Sequence, residues 1–345
     1  MRIPAWLAWL LLGMTYLTAG LLRQFHAEIP TSPYVSPLVG SLLFAAVFLL
    51  LLVAAREWRL GPLRGDGIRL GSITPLLLML LMEKWISIAL YNPVFALIAP
   101  EGLADAELDA RYRAFAGLGL LATCALLSGF SPPAWRRTWR RMRPARWPAA
   151  IAGLAIVVAG VYLVLGGLFA AFGGGLRLQW PSSSSLLAWI LGGQALRAFS
   201  EEYYYRSLLL AETQRLAPRL GARGPAAARW AALIPTSVLF GLEHVALGPP
   251  WDEPLRQAVF TLALGLLFGI LMLVTENLPF VAGMHAFVNW LVLGGVPRFV
   301  DETGRAALPA GTYVGLALAL AFVLAFVVQQ RGLLVRKRQA SSSGA

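Results

Sequence analysis

The chain has 345 residues, of which 58% are hydrophobic and only 13% charged, and its mean hydropathy is +0.67. This excludes a soluble domain, where about half of the residues are apolar and about a quarter charged. The net charge of +12 does not indicate a nucleic-acid partner, because the arginines cluster in short loops between apolar spans, as they do where a membrane protein fixes its orientation.

After Met1-Arg2 the chain turns apolar from Ala5 to Leu22. That run is too long for a signal-peptide core and lacks a small-residue cleavage site, so it predicts a retained first helix. Spans of the length a bilayer requires predict helices near 5–22, 38–55, 70–99, 114–130, 149–172, 184–211, 227–248, 256–274, 278–297 and 309–329. The third carries Glu83-Lys84 and then Asn92-Pro93, and is expected to be broken or partly outside the membrane. The fold class is therefore all-α, a polytopic transmembrane bundle of about ten helices.

Loop charge agrees with that count. Arg56, Arg59, Arg64 and Arg69 fill one loop, Arg136, Arg137, Arg140, Arg141, Arg143 and Arg146 the next but one, and Arg215, Arg219 and Arg223 a third. The alternate loops carry Glu101, Asp105, Glu107 and Asp109, or Asp252 and Glu253, or almost no charge. The basic loops fall on one side, which predicts both termini in the cytoplasm of a multi-pass protein of the cell inner membrane. The tail from Arg336-Lys337-Arg338 to Ala345 is expected to be disordered there. Trp58, Trp135, Trp147, Trp180 and Trp251 read as interfacial anchors. Gly265 and Gly269 have the small-xxx-small spacing of closely packed helices. Ser182 to Ser185 reads as a loop and helix start. The single cysteine, Cys124, lies in an apolar run, which leaves no disulfide framework or thiolate metal site.

The chemistry concentrates at Glu201-Glu202-Tyr203-Tyr204-Tyr205-Arg206, inside an apolar segment. A charge at the centre of a bilayer costs roughly 2.5–3.5 kcal/mol on insertion scales, so ionisable groups at that depth face the bundle interior and mark functional sites. Arg197 precedes Glu201 by four residues and Glu202 precedes Arg206 by four, so two intrahelical ion pairs would explain the cluster without function. Burying a whole quartet of charges costs more than packing alone warrants. Two of the three histidines are also at membrane depth: His244 closes Phe240-Gly241-Leu242-Glu243-His244, and His285 stands four before Asn289 on one helical face. A histidine in an apolar helix is commonly a hydrogen-bonded core residue, and Asn289 has a structural reading as an interhelical donor. Together, a carboxylate, two imidazoles and an amide are the parts of a hydrolase.

The order Glu201-Glu202-x-x-x-Arg206, Phe240-x-x-x-His244, His285-x-x-x-Asn289 resembles the three motifs of the CPBP intramembrane proteases. That family includes CAAX prenyl endopeptidases of the Ras-converting type and bacterial bacteriocin-processing and immunity proteins. The stretch from Gly265 to Gly269 through Pro279 is similar to the family's Gly-rich penultimate helix and loop. The resemblance covers roughly residues 150–297. It implies a division into 1–148, N-terminal membrane helices of unknown role, 149–297, the protease core, and 298–345, a last helix and basic tail. It also implies roles for the site residues. Glu201 is the base that activates a water, His244 holds that water, His285 and Asn289 stabilise the oxyanion, and Glu202 with Arg206 supports the site as an ion pair. Burial disfavours the charged form of a carboxylate and so suits a base working near neutral pH.

No cofactor is expected. If zinc were present, Glu201, His244 and His285 would be its ligands, with water as the fourth, although the chain has no H-E-x-x-H helix. The expected partners are the lipid bilayer and a membrane-associated protein or peptide, with a C-terminal sorting tail, as in myxosortase-like members, as one version. Two readings from other classes stand beside the protease. One is a proton- or ion-coupled membrane transporter using Glu201, Glu202 and Arg206 as a relay, and the other is a catalytically silent membrane scaffold or immunity protein.

Overall fold

The computed structural model describes residues 2–3, 68–69, 76, 79, 80, 83, 105–129, 132–171, 177–180, 184–245, 254–293, 295–301 and 305–342. The expected helices at 5–22 and 38–55 lie outside the described residues, as does nearly all of 70–99, where Leu76, Met79, Leu80 and Glu83 are helical. In order, the elements are β1 (Arg2–Ile3), β2 (Ile68–Arg69), α1 (Asp105–Ser128), α2 (Pro132–Met142), α3 (Trp147–Ala171), β3 (Arg177–Gln179) and α4 (Ser184–Glu202). A π-helical segment follows at Tyr203–Leu209, then α5 (Leu210–Leu216), α6 (Gly224–Val245), α7 (Pro254–Thr275), α8 (Leu278–Leu293), β4 (Arg298–Val300) and α9 (Ala310–Ser342). The chain divides into two units, one made of residues 1–101, 118–138 and 203–269, the other of 102–117, 139–202 and 270–345.

In the second unit α8 packs on α4, α3 and α9, and α9 packs on α3. Each helix buries one stripe at helical spacing: Val157, Val161 and Leu165 on α3, and Tyr313, Ala317 and Ala321 on α9. The opposite faces are also apolar. Ile151, Ile156, Leu163, Val323, Phe326 and Val328 are exposed, a pattern suited to lipid rather than water. Gly117 of α1 lies against α4, where a Cβ would stand 3.0 Å from the Arg197 backbone nitrogen. β3 and β4 pair antiparallel, with Arg177 opposite Val300 and Gln179 opposite Arg298. This short ribbon, absent from the all-α expectation, satisfies backbone groups of two connecting stretches by pairing them with each other.

In the first unit the π-helical segment and α5 pack on α6, and all seven π-helical residues are buried. Tyr203 shares a hydrogen bond with Ser128 of α1 at 3.2 Å, and the Tyr204 hydroxyl donates to the Met79 carbonyl at 3.2 Å. The close helix contact expected at Gly265 is present against α6, where a Cβ would lie 3.3 Å from Ser237 Cα. Gly241 of α6 faces α7 more tightly still, and a Cβ there would stand 3.0 Å from Leu262 Cβ and 3.1 Å from the Ala258 carbonyl oxygen. Backbone cannot yield as a side-chain tip does. Gly241→Ala is therefore expected to destabilise the protein by about 1–3 kcal/mol, read as a lower unfolding midpoint in detergent. An unchanged midpoint would mean that α6 and α7 separate freely.

Several expectations need correction. Among the described residues three helical stretches are long and apolar enough to cross a membrane, Pro144–Ala171, Gln257–Thr275 and Ala310–Gln330, with Leu278–Leu293 a shorter apolar helix. Ten spans are therefore not established. Helices α1, α4 and α6 fall short because each carries charged or polar groups along with its apolar residues; α4, for instance, ends in Arg197, Glu201 and Glu202. The arginine-rich stretch expected as a loop at 131–148 contains α2, since arginine is a good helix former. The sixth span is not one α-helix, because its register changes at Tyr203. The tail expected to be disordered continues α9 to Ser342, where Arg, Lys, Gln and Ala all favour helix.

Candidate active site

Two helices of the second unit bring the predicted groups together. The last turns of α4 present Gln194, Arg197, Glu201 and Glu202, and α8 presents His285 and Asn289. Residues seven apart in a helix return to almost the same face, so Gln194 and Glu201 both address α8. Glu202 is fully buried, while Glu201, His285 and Gln194 are 4%, 3% and 3% exposed.

The imidazole of His285 lies between the two carboxylates. Nδ1 is 2.8 Å from Glu202 Oε1, and Nε2 is 3.7 Å from Glu201 Oε2. An ionised carboxylate only accepts, so the proton on Nδ1 is donated to Glu202. That bond fixes the ring and turns Nε2 towards Glu201. The other oxygen of Glu201, Oε1, is bound by Arg197 Nε. Asn289 donates from Nδ2 to Gln194 Oε1 at 3.3 Å. This fixes the amide orientation and leaves Asn289 a second N–H to donate elsewhere.

The remaining predicted residues belong to the first unit. His244 is half-buried at the end of α6, with Nδ1 2.7 Å from the Phe240 carbonyl oxygen. A carbonyl accepts, so Nδ1 carries the proton and Nε2 is the acceptor nitrogen in the neutral ring. The Phe240 ring lies 4.2 Å from the His244 ring, centroid to centroid. Arg206 sits in the π-helical segment with its guanidinium 4.2 Å from the centre of the Phe240 ring, and donates to the Gly265 carbonyl at 3.4 Å. Phe240 therefore supports both a cation and an imidazole.

Three features escaped the sequence reading. Gln194 was overlooked, although its seven-residue separation from Glu201 was a usable signal. Glu202 was assigned to Arg206 alone, because its bond to His285 spans 83 positions in sequence and no local rule reveals it. Glu243, buried and bonded by the Tyr205 hydroxyl, was read only as part of the His244 motif.

Among the described residues no three His, Cys, Asp or Glu side chains are gathered so as to hold a metal ion. No step below is routed through a metal.

Paired carboxylates, an imidazole and an amide thus meet inside an apolar helical protein. Residues 183–291 match the family model described as type II CAAX prenyl endopeptidase, Rce1-like, and this segment runs from α4 into α8. Over that segment the chain is similar to the CAAX-type intramembrane proteases of the CPBP family, and the described residues include helices apolar and long enough to cross a membrane. No curated protein matches it, and no solved structure does.

Proposed function

We propose that the protein is an intramembrane endopeptidase that hydrolyses a peptide bond near the membrane-associated end of a protein or peptide, without a metal. The observation that carries this reading is the placement of His285, with one nitrogen held by Glu202 and the other directed at Glu201.

Glu201 takes a proton from water, and the resulting hydroxide attacks the peptide carbonyl carbon. The carbonyl oxygen gains the electron pair and becomes an oxyanion. The second N–H of Asn289, and Nε2–H of His285 when both of its ring nitrogens carry protons, donate to it, and such donors are aimed where charge develops rather than where it already is. The proton held by Glu201 then passes to the departing amine as the tetrahedral intermediate collapses. His244 is assigned to hold the water on the family resemblance alone. Glu202 positions His285, and the family resemblance gives Arg206 a supporting role. The core that does this is 149–297, with 1–148 and 298–345 outside it, and we place the protein in the cell inner membrane with both termini cytoplasmic. The substrate is a membrane-associated polypeptide, a protein with a C-terminal sorting tail being one such.

The test is hydrolysis of lipid-tethered and transmembrane peptides by the purified protein in proteoliposomes, with products identified by mass spectrometry. Cleavage is expected to survive exhaustive chelation. Activity lost to a chelator and restored by zinc would overturn the metal-independent mechanism. Flux of a solute with no peptide cleaved would favour a transporter.

A further inference from the structure

Helix α2 is not used by the chemistry above, and its construction is unusual for a connection between membrane helices. No acidic residue occurs between Asp109 and Glu201, so the six arginines of 131–148 have no counter-charge in their own stretch. On a helical projection Arg136, Arg137, Arg140 and Arg141 occupy one arc, and Trp135, Thr138, Trp139 and Met142 the other. Thr138 and Arg141 are buried against the protein. Outward-facing are Arg136 and Arg140, with Trp139 beside them at 54% exposure, followed by exposed Arg143 and Trp147.

The level of this face relative to a bilayer is set by its neighbours. The membrane-length stretch Pro144–Ala171 begins two residues after α2 ends. The Trp147 indole donates to the Met142 carbonyl at 3.2 Å, tying the two helices at the corner. Arg146 donates to the Glu276 carbonyl at 2.6 Å, and Asn277 donates back to the Arg146 carbonyl at 3.2 Å. The start of α3 and the end of α7, both apolar helices of membrane length, therefore meet at one depth. If these stretches span a bilayer, that depth is the boundary of the hydrocarbon layer, and α2 would lie just outside it.

We infer that α2 is an interfacial helix whose Arg136, Arg140 and Arg143 bind anionic phospholipid headgroups while Trp139 inserts at the acyl boundary. A helix with an exposed tryptophan among arginines and no acid fits a negatively charged leaflet. Each basic side chain at such a surface strengthens association about fivefold, so three together give on the order of 100-fold.

The experiment uses the full chain in detergent, titrated with phosphatidylglycerol or phosphatidylcholine of the same acyl chains and read by native mass spectrometry. Wild type is expected to retain phosphatidylglycerol at least tenfold better, with the preference falling as salt rises. The R136Q/R140Q/R143Q variant should lose the preference, whereas R136K/R140K/R143K should keep it, since charge is what the surface supplies. Equal retention of the two lipids by wild type would overturn the proposal, as would a triple Gln variant that keeps the preference. An acidic protein partner in place of lipid would also appear as equal retention. Should the triple variant fail to insert, the single variants R140Q and R143Q provide the same comparison at smaller amplitude.

Discussion

Glu201→Gln is expected to abolish peptide hydrolysis, lowering kcat by about 10³- to 10⁴-fold, the upper part of what a positioned general base contributes. Glutamine keeps the size of the side chain and an oxygen that still accepts from Arg197 Nε, the group that binds Glu201 now. It removes only the capacity to take a proton from water. Substrate affinity should therefore change little, and the loss should fall on kcat rather than KM, the signature of an interaction used only in the transition state. The protein should still insert and elute from a sizing column as wild type does. The competing readings separate here. A silent scaffold predicts an unaltered phenotype, and a transporter predicts altered solute flux in a protein that never cleaved the peptide. A variant retaining more than a tenth of wild-type cleavage would remove Glu201 as the base.

Much of the site was legible because helix periodicity is a local rule. Four-residue spacing puts His285 and Asn289 on one face of α8 and Arg197 under Glu201 on α4, and the ion pair and shared face found there follow from that spacing. The choice of partners across helices was not legible. Glu202 has Arg206 four positions ahead as an attractive local partner, yet the bond it makes in the second unit is to His285, 83 positions away. The break at Tyr203 was hidden for a similar reason. Tyr203-Tyr204-Tyr205 reads as ordinary apolar helix, and nothing in its residue propensities signals the widening there, where all seven side chains are buried. Helix α4 carries Arg197, Glu201 and Glu202 among its apolar residues, which hydropathy averages away. In α2 the same arginines that mark a loop by charge also support a helix by propensity, and charge was the weaker guide to its conformation.

His285→Ala is expected to lower kcat/KM by about 10²- to 10³-fold, the loss associated with removing one oxyanion donor. It should also destabilise the fold, because Glu202 is fully buried and loses the Nδ1–H it now accepts from. An unsatisfied buried group costs about 1–3 kcal/mol, and a charged one more. Glu202→Gln separates these effects. It leaves the imidazole in place but presents an amide where a carboxylate had fixed the Nδ1 proton, and an amide can favour the other tautomer or ring orientation. A rate loss of about 10–100-fold is expected, the range seen when a group orienting a functional histidine is removed. Because Glu202 acts through His285, the two losses should not multiply. The double variant His285→Ala/Glu202→Gln should be about as slow as His285→Ala alone, and more stable than it, since the buried charge is gone. Losses that multiply in the double variant would mean that Glu202 acts on the reaction by a route of its own. The 2.8 Å contact with Nδ1 would then be packing rather than positioning.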